Sequence, residues 1–278
     1  HGAFLELLSL AAAEDGYGTE ITLFPDGEDM ATLDARPVAR VRFVPGGAGP
    51  DPLFAYTLSR HTNREPFEAR DVDPDALAAV LSSGNVQGVT ASGCGNDALA
   101  ASLRDLTWRA HAVEMTTPYT NQESVELMRI GAKEVAANPD GLVLEGPVMG
   151  LGKMTGIISR EAMADPNSEM SKQGMTMFHD AAKSARAFAW LGNSGATRVS
   201  QIAAGRAYMR LSPAAEREGL KVHPWSQSLQ EYKEMASLYS EVHELIGGGQ
   251  RLQMLVRVGY AKAVIAAPRW PMETHLIS

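Results

Sequence analysis

The chain has 278 residues, 45% hydrophobic and 21% charged, which is enough apolar material for one large domain or two closely packed halves. A formal net charge of −8 with no basic run interleaved with aromatics argues against a nucleic-acid surface, and the lack of an uncharged apolar run of about 18 residues argues against a membrane span. A single cysteine, Cys94, excludes an internal disulfide framework and fits a reducing, cytoplasmic setting.

In chain order, the first residues already show helical apolar periodicity, so the chain is expected to start inside a helix ending at Gly16, with an N-terminal portion removed or not captured. Strands are expected over 21–24 and 39–44, followed by a linker at Gly46-Gly47-Ala48-Gly49-Pro50. A short apolar run then leads into Arg60-His61-Thr62-Asn63-Arg64. Guanidinium groups pair bidentately with phosphate oxygens and a Thr hydroxyl adds a further hydrogen bond, so this cluster suits a phosphate. The competing reading is a solvated basic turn beside Glu65, Glu68 and Asp71.

Asp73-Pro74 supplies an N-cap and first helical residue for a helix with Leu77, Val80 and Leu81 on one face and Gly84 at its end. Ser92-Gly93-Cys94-Gly95-Asn96 has the composition of a flexible loop carrying a passive thiol. A further helix is expected from Thr120 or Asn121, with Val125, Met128, Ala132 and Val135 on one face, stopped by Asn138-Pro139-Asp140-Gly141. From Pro147 to His179 the chain is irregular and carries Met149, Met154, Met163, Met170, Met175 and Met177, which suit a lid, an acceptor pocket or gap-filling core.

A strand over 187–191 precedes a long helix over 198–218, whose buried stripe is Val199, Ile202, Ala203, Ala207, Leu211 and Ala214 and which Pro213 is expected to kink or break. The loop over 221–227 should leave amides near Ser226 and Gln227 unpaired, suited to the acceptors of a planar heterocycle, with His223 and Trp225 offering ring faces or edges. Leu229, Tyr232, Ala236, Tyr239, Val242 and Ile246 mark one more helix, closed by Gly247-Gly248-Gly249, before a strand over 252–258 and the proline-framed Arg269. The seven histidines lack metal-ligand spacing. The sum is a helix-dominated α+β fold.

One internal similarity recurs at an offset of 203: Gly2, Leu8-Ser9, Ala11-Ala12 and Gly16-Tyr17 return as Gly205, Leu211-Ser212, Ala214-Ala215 and Gly219-Leu220. This predicts two related halves, with residues 1–50 closing the first and residues 51–278 forming the second.

These pieces together resemble the FMN-dependent nitroreductases. Ser59-Arg60-His61-Thr62-Asn63-Arg64-Glu65-Pro66-Phe67 is similar to their phosphate-binding motif, Gly219-Leu220 with Pro224 to the Gly-Leu-x-x-x-Pro loop beneath the flavin, and Gly259-Tyr260 with Pro268-Arg269-Trp270-Pro271 to the C-terminal segment. Ala204-Gly205-Arg206-Ala207, His223-Pro224-Trp225-Ser226-Gln227 and Leu229-Gln230-Glu231-Tyr232 narrow the resemblance to the Acg-type proteins, in which two nitroreductase-like halves are fused as a single-chain pseudo-dimer. It implies one FMN in the second half, with Arg60, Thr62 and Arg64 on its phosphate, His61 beside the phosphate or ring edge, and Arg269 closing the site. The amides of Ser226 and Gln227 would face the flavin ring, whose surroundings Pro224 and Trp225 would shape.

The same resemblance implies NAD(P)H as electron donor, a small-molecule acceptor such as a nitroaromatic or quinone, and a monomeric pseudo-dimer or a homodimer. No catalytic side chain is required; His223 is a candidate proton donor or a structural histidine. The family's Pro-Ser-x-x-Asn segment would lie upstream of His1, and Ala267 stands where a second basic residue is expected. Some Acg-type proteins cover the flavin with a lid, which gives FMN storage without turnover as the alternative function.

Overall fold

Two strands in this chain are buried on both faces, and the architecture follows from them. The computed structural model describes residues 1–144, 152 and 158–276. Along β6 (Ala187–Asn193), Ala187, Ala189 and Leu191 face one side while Phe188 faces the other; along β8 (Arg251–Gly259), Val256 and Val258 oppose Leu255 in the same way. With β3 (Thr90–Cys94) and β7 (Lys221–Pro224) these strands form a wholly antiparallel sheet in the order β3-β6-β8-β7. Such a sheet must be covered on both faces.

One face is covered by α2 (Pro74–Gly84) and α8 (Arg198–Arg217), through Leu77, Val80, Ala207, Leu211 and Ala215. Asp73 caps α2 as expected, accepting from the amides of Asp75 and Ala76. The other face is covered by α3 (Ala98–Thr116) and α9 (Ala236–Val242), through Leu103, Leu106 and Val242, with Ile246 just beyond α9. Among the described residues, no helix is long and apolar enough to cross a membrane.

The first segment leans on α8. Helix α1 (Gly2–Glu14) approaches it so closely that a Cβ on Gly2 would lie 2.1 Å from the Ile202 carbonyl oxygen, and one on Gly205 would lie 3.0 Å from the Gly2 Cα. Buried Glu6 accepts from Arg206 at 2.8 Å and Arg210 at 2.9 Å, and Arg210 reaches on to Asp51. After α1 the chain turns through Gly16, with φ of +79°, into β1 (Tyr17–Leu23), which pairs with β2 (Ala39–Pro45). After α8 it turns in the same way through Gly219, with φ of +72°, into β7.

The remaining elements form a small annex: α4 (Pro118–Glu126), β4 (Met128–Ile130), α5 (Ala132–Ala137), β5 (Leu142–Leu144), α6 (Arg160–Ala164) and α7 (Glu169–Lys183). Its core is Val125, Ile130, Ile158 and Met163.

Five local expectations are corrected. The expected loop over 92–96 begins within β3, because Cys94 pairs opposite Phe188 and is buried there; burial pushes its thiol up to about 11. The expected helix starting at 120–121 is split, since Gly131 adopts a left-handed φ of +79° and residues 128–130 pair in parallel with β5. The helix expected from Leu229 starts only at Ala236; the preceding residues form short 3-10 turns at Gln227–Leu229 and Lys233–Met235. Helix α8 runs without a break through Pro213, which is itself buried among Leu211, Ser212, Ala214 and Ala215, so packing outweighs the roughly 3 kcal/mol that proline costs in isolation. Finally, the 19-residue α3 has no counterpart in the sequence reading.

Candidate functional site

The two strongest sequence motifs lie about 160 residues apart and are joined by backbone pairing. Thr62 forms a parallel bridge with Val222, and the Asn63 amide donates to the Val222 carbonyl at 3.0 Å, so the 60–64 segment runs along the free edge of β7. Beyond β7 the Trp225 amide donates to the Leu255 carbonyl, and the Ser226 hydroxyl takes the place of a strand backbone, donating to the Leu255 carbonyl and accepting from its amide. Among the described residues no acceptor faces the amides of Ser226 and Gln227. Pro224 pairs opposite Val256, and the Gln227 side-chain carbonyl is buried without a partner.

Several cations meet along this edge. Arg60 has a buried Nε with no partner, and neither Arg60 nor Arg64 has a carboxylate within ion-pair distance among the described residues. His61 donates from Nδ1 to the Arg60 carbonyl at 2.9 Å; burial first, then the charges of Arg60, Lys221 and Arg269, hold its pKa below the ordinary value, with Glu216 opposing. Arg269 thus lies within electrostatic reach of His61, exposed, its guanidinium on the carbonyls of Ala267 and Pro268. Burial pushes the Tyr208 phenol up, opposed by the charges of Arg60 and Arg64.

Arg257 holds this edge from below. It is fully buried, and its Nε donates to His223 Nδ1 at 3.0 Å. One terminal nitrogen donates to the Ala181 carbonyl and the Ser184 hydroxyl, the other to the carbonyls of Asn63 and Glu65, which flank Arg64. The guanidinium lies 4.1 Å over the Phe67 ring and 5.2 Å from that of Trp225. Desolvation lowers its pKa to about 9, so it stays charged at neutral pH. Because Arg257 donates to Nδ1, His223 carries its proton on Nε2; burial, then the charges of Arg257 and Arg64, keep its imidazole neutral. Asn63, fully buried, adds a second clamp by donating to the Lys262 carbonyl and accepting from the Glu65 amide.

Trp225 is 2% exposed, with Nε1 on the Thr107 carbonyl and its ring against His223, His111 and Phe178. It supports the loop from inside the core. His111 is equally buried, and neither ring nitrogen has a hydrogen-bond partner; burial pushes its pKa down to about 4. The unfolded chain therefore takes up a proton below pH 6.5 that the folded chain refuses until about pH 4. Stability should fall as pH drops through that window, by about 3 kcal/mol for this group. Urea midpoints at pH 7 and pH 4.5 measure the loss, and His111→Phe should flatten it.

Beside the cationic edge lies an apolar chamber of ≈ 650 Å³. Arg64 lines one part of it; Met115, Met128, Met163, Met170, Met175, Met177 and Phe178 supply much of the rest. Of the methionines singled out in the sequence, Met149 and Met154 lie outside the described residues. Among the described residues, no cluster of His, Cys, Asp or Glu could hold a metal ion.

The architecture matches known structures. An FMN and NADPH-dependent nitroreductase, NfnB from Sphigopyxis sp. strain HMH, superposes with a TM-score of 0.50 at 15% identity, covering 81% of this chain and 98% of that one. The chain has the nitroreductase fold. The FMN-dependent nitroreductase NfnB from Mycobacterium smegmatis, solved with NADPH, aligns at 18% identity and a TM-score of 0.49 over 80% of this chain and 96% of that one. An FMN-bound nitroreductase from Bacteroides fragilis aligns at 12% identity and 0.48, over 82% and 99%. No family model matches the chain, and no curated protein matches it in sequence.

The 60–64 segment and the residues from Pro224 to Gln227 come together on one sheet edge of this nitroreductase fold, while Arg269 is exposed on the C-terminal segment with its guanidinium on neighbouring carbonyls. An orphaned guanidinium nitrogen on Arg60, two arginines without an ion pair among the described residues and two unpartnered amides fit an anion joined to a hydrogen-bond-accepting ring, which is the chemistry of FMN. Arg257, Asn63, Tyr208 and His111 are the site neighbours that sequence reasoning missed. An arginine inside the apolar run Leu255-Val256-Arg257-Val258 was the one available signal.

Proposed function

We propose that this protein is an FMN-binding oxidoreductase of the nitroreductase type, using NAD(P)H to reduce nitroaromatic or quinone-like acceptors by two electrons. The observation that carries the reading is the group of Arg60, His61, Thr62 and Arg64, whose two arginines form no ion pair among the described residues, hydrogen-bonded along β7 beside the unpartnered amides of Ser226 and Gln227. Arg60, Thr62 and Arg64 would hold the FMN phosphate, with His61 beside it and Arg269 closing over it. The amides of Ser226 and Gln227 would donate to the ring acceptors, with Pro224 and Trp225 fixing the loop that carries them. When bound, the flavin supplies the two-electron chemistry, accepting hydride from the nicotinamide and passing it to the acceptor. Arg257 and Asn63 hold the carbonyls and amides around Arg64, so its guanidinium is presented without reorganisation.

Residues 1–50 are read as the end of a first half and residues 51–278 as the second, the Acg-type arrangement. The close contact of Gly2 with Gly205, residues related by the sequence offset of 203, supports this pseudo-dimer, as does the left-handed glycine ending both helices. The assembly is then a monomeric pseudo-dimer or a homodimer. The likeness to an FMN and NADPH-dependent nitroreductase supports turnover in preference to FMN storage. Dithionite-reduced protein, freed of excess reductant and mixed anaerobically with a nitroaromatic, should regain its oxidised flavin spectrum. A flavin that stays reduced with every nitroaromatic and quinone tried would reverse the preference.

A further inference from the structure

Beyond β8 the chain runs as an irregular segment that is fastened at both ends. From Tyr260 to Pro271 it forms neither helix nor strand, and a 3-10 turn at Met272–His275 follows. At its start the Glu68 amide donates to the Tyr260 carbonyl at 2.8 Å, the Arg70 guanidinium lies 3.8 Å over the Tyr260 ring, and fully buried Asn63 donates to the Lys262 carbonyl at 2.8 Å. At its far end Trp270 Nε1 donates to Asp140 Oδ2 at 2.9 Å. Asp140 lies in the annex, in the turn between α5 and β5, and its other oxygen accepts from Arg129 of β4 at 2.7 and 2.9 Å. Between the anchors Ile265 is 83% exposed, so the two ends, more than core packing, place the segment.

The first anchor belongs to the anion site. Asn63 stands between His61 and Arg64 in sequence and holds the Glu65 amide as well as Lys262, so an anion that orders the 60–64 segment also orders the start of the strap. The second anchor is a single hydrogen bond from an exposed side chain, weak enough to open and close in the native state. Arg269, next to Trp270, spends its guanidinium on the carbonyls of Ala267 and Pro268 and is free to turn toward an anion. We propose that residues 260–271 form a strap through which an anion on the 60–64 segment steadies the annex turn at Asp140, and through which that turn favours the anion in return. The identity of the anion as the FMN phosphate rests on the oxidoreductase reading; the strap itself does not.

The test is amide hydrogen exchange of the purified full chain in peptides covering residues 128–144, without anion, with saturating FMN and with saturating inorganic pyrophosphate. Both anions should slow exchange there by about threefold or more, the factor that one strengthened hydrogen bond gives. Trp270→Phe keeps an aromatic ring and removes the N–H. It should retain native circular dichroism, lose the slowing with both anions, and bind FMN about threefold or more weakly, because such coupling is reciprocal. Slowing that persists in Trp270→Phe would show direct contact between anion and annex and overturn the strap. Slowing with FMN but not with bound pyrophosphate, or unchanged exchange while either anion binds, would overturn it equally. A chain that binds pyrophosphate but no FMN fails the flavin reading alone, and the pyrophosphate result then decides the strap; a chain that binds neither fails both.

Discussion

Arg60→Ala combined with Arg64→Ala yields a protein that no longer retains FMN. Each guanidinium is expected to make charge-assisted hydrogen bonds to the phosphate, worth about 1.5 to 3 kcal/mol apiece. Loss of both then weakens binding by about 10² to 10⁴-fold. The fold itself should tolerate the change, since neither side chain forms an ion pair among the described residues and the backbone of the segment is held independently by Val222 and Arg257. A fluorescence titration of flavin with the double variant, beside a thermal melt close to that of the parent, separates the two effects. Equal flavin affinity in parent and variant would remove the phosphate assignment.

Arg257→Met should produce the largest loss of stability in the site, about 3 to 5 kcal/mol in urea unfolding. The side chain is fully buried, and its removal leaves the carbonyls of Asn63 and Glu65 and the Nδ1 atom of His223 without this donor, and the Ala181 carbonyl with the Ser184 hydroxyl in its place. A buried cation with no carboxylate partner is costly, so what retains it is the number of acceptors it satisfies at once. Arg257→Lys keeps the charge but not the fork, and should recover only part of the stability because an ammonium cannot reach His223 Nδ1 and the carbonyls of Ala181, Asn63 and Glu65 at once. An Arg257→Met variant within about 1 kcal/mol of the parent would show that the clamp carries little energy.

Much of the fold over residues 51–278 was legible before the structure, and the reasons are local. Asp73-Pro74 encodes a cap, the stripe from Ile202 to Ala214 encodes one helical face, and the apolar strands β6 and β8 encode burial on both sides. What failed depends on tertiary partners. Helix α3 carries Ser102, Arg104, Asp105, Arg109 and Glu114 among its apolar residues, and its buried line of Ala100, Leu103 and Leu106 becomes clear only against Phe188 and Leu255, with Ala110 against Met235 and Leu238. Gly93 looked like loop because a glycine in a strand is uncommon, yet a Cβ there would lie 2.6 Å from the Phe188 carbonyl, so close strand contact requires it.

At the site, the residue types suited to a phosphate are visible in sequence because Arg, Thr and His have few other reasons to cluster. The residues that hold them in place are harder to see. Arg257 and Asn63 act through main-chain carbonyls and amides, which carry no sequence signature.

The measurement that tests the central claim most directly is the absorbance spectrum of the purified protein, reconstituted with FMN if required, followed by anaerobic addition of NADH or NADPH. The account predicts a bound-flavin spectrum that bleaches with the nicotinamide and returns when an acceptor is added. A protein that takes up no FMN, or one whose bound flavin is reduced by dithionite but by neither nicotinamide, would contradict it.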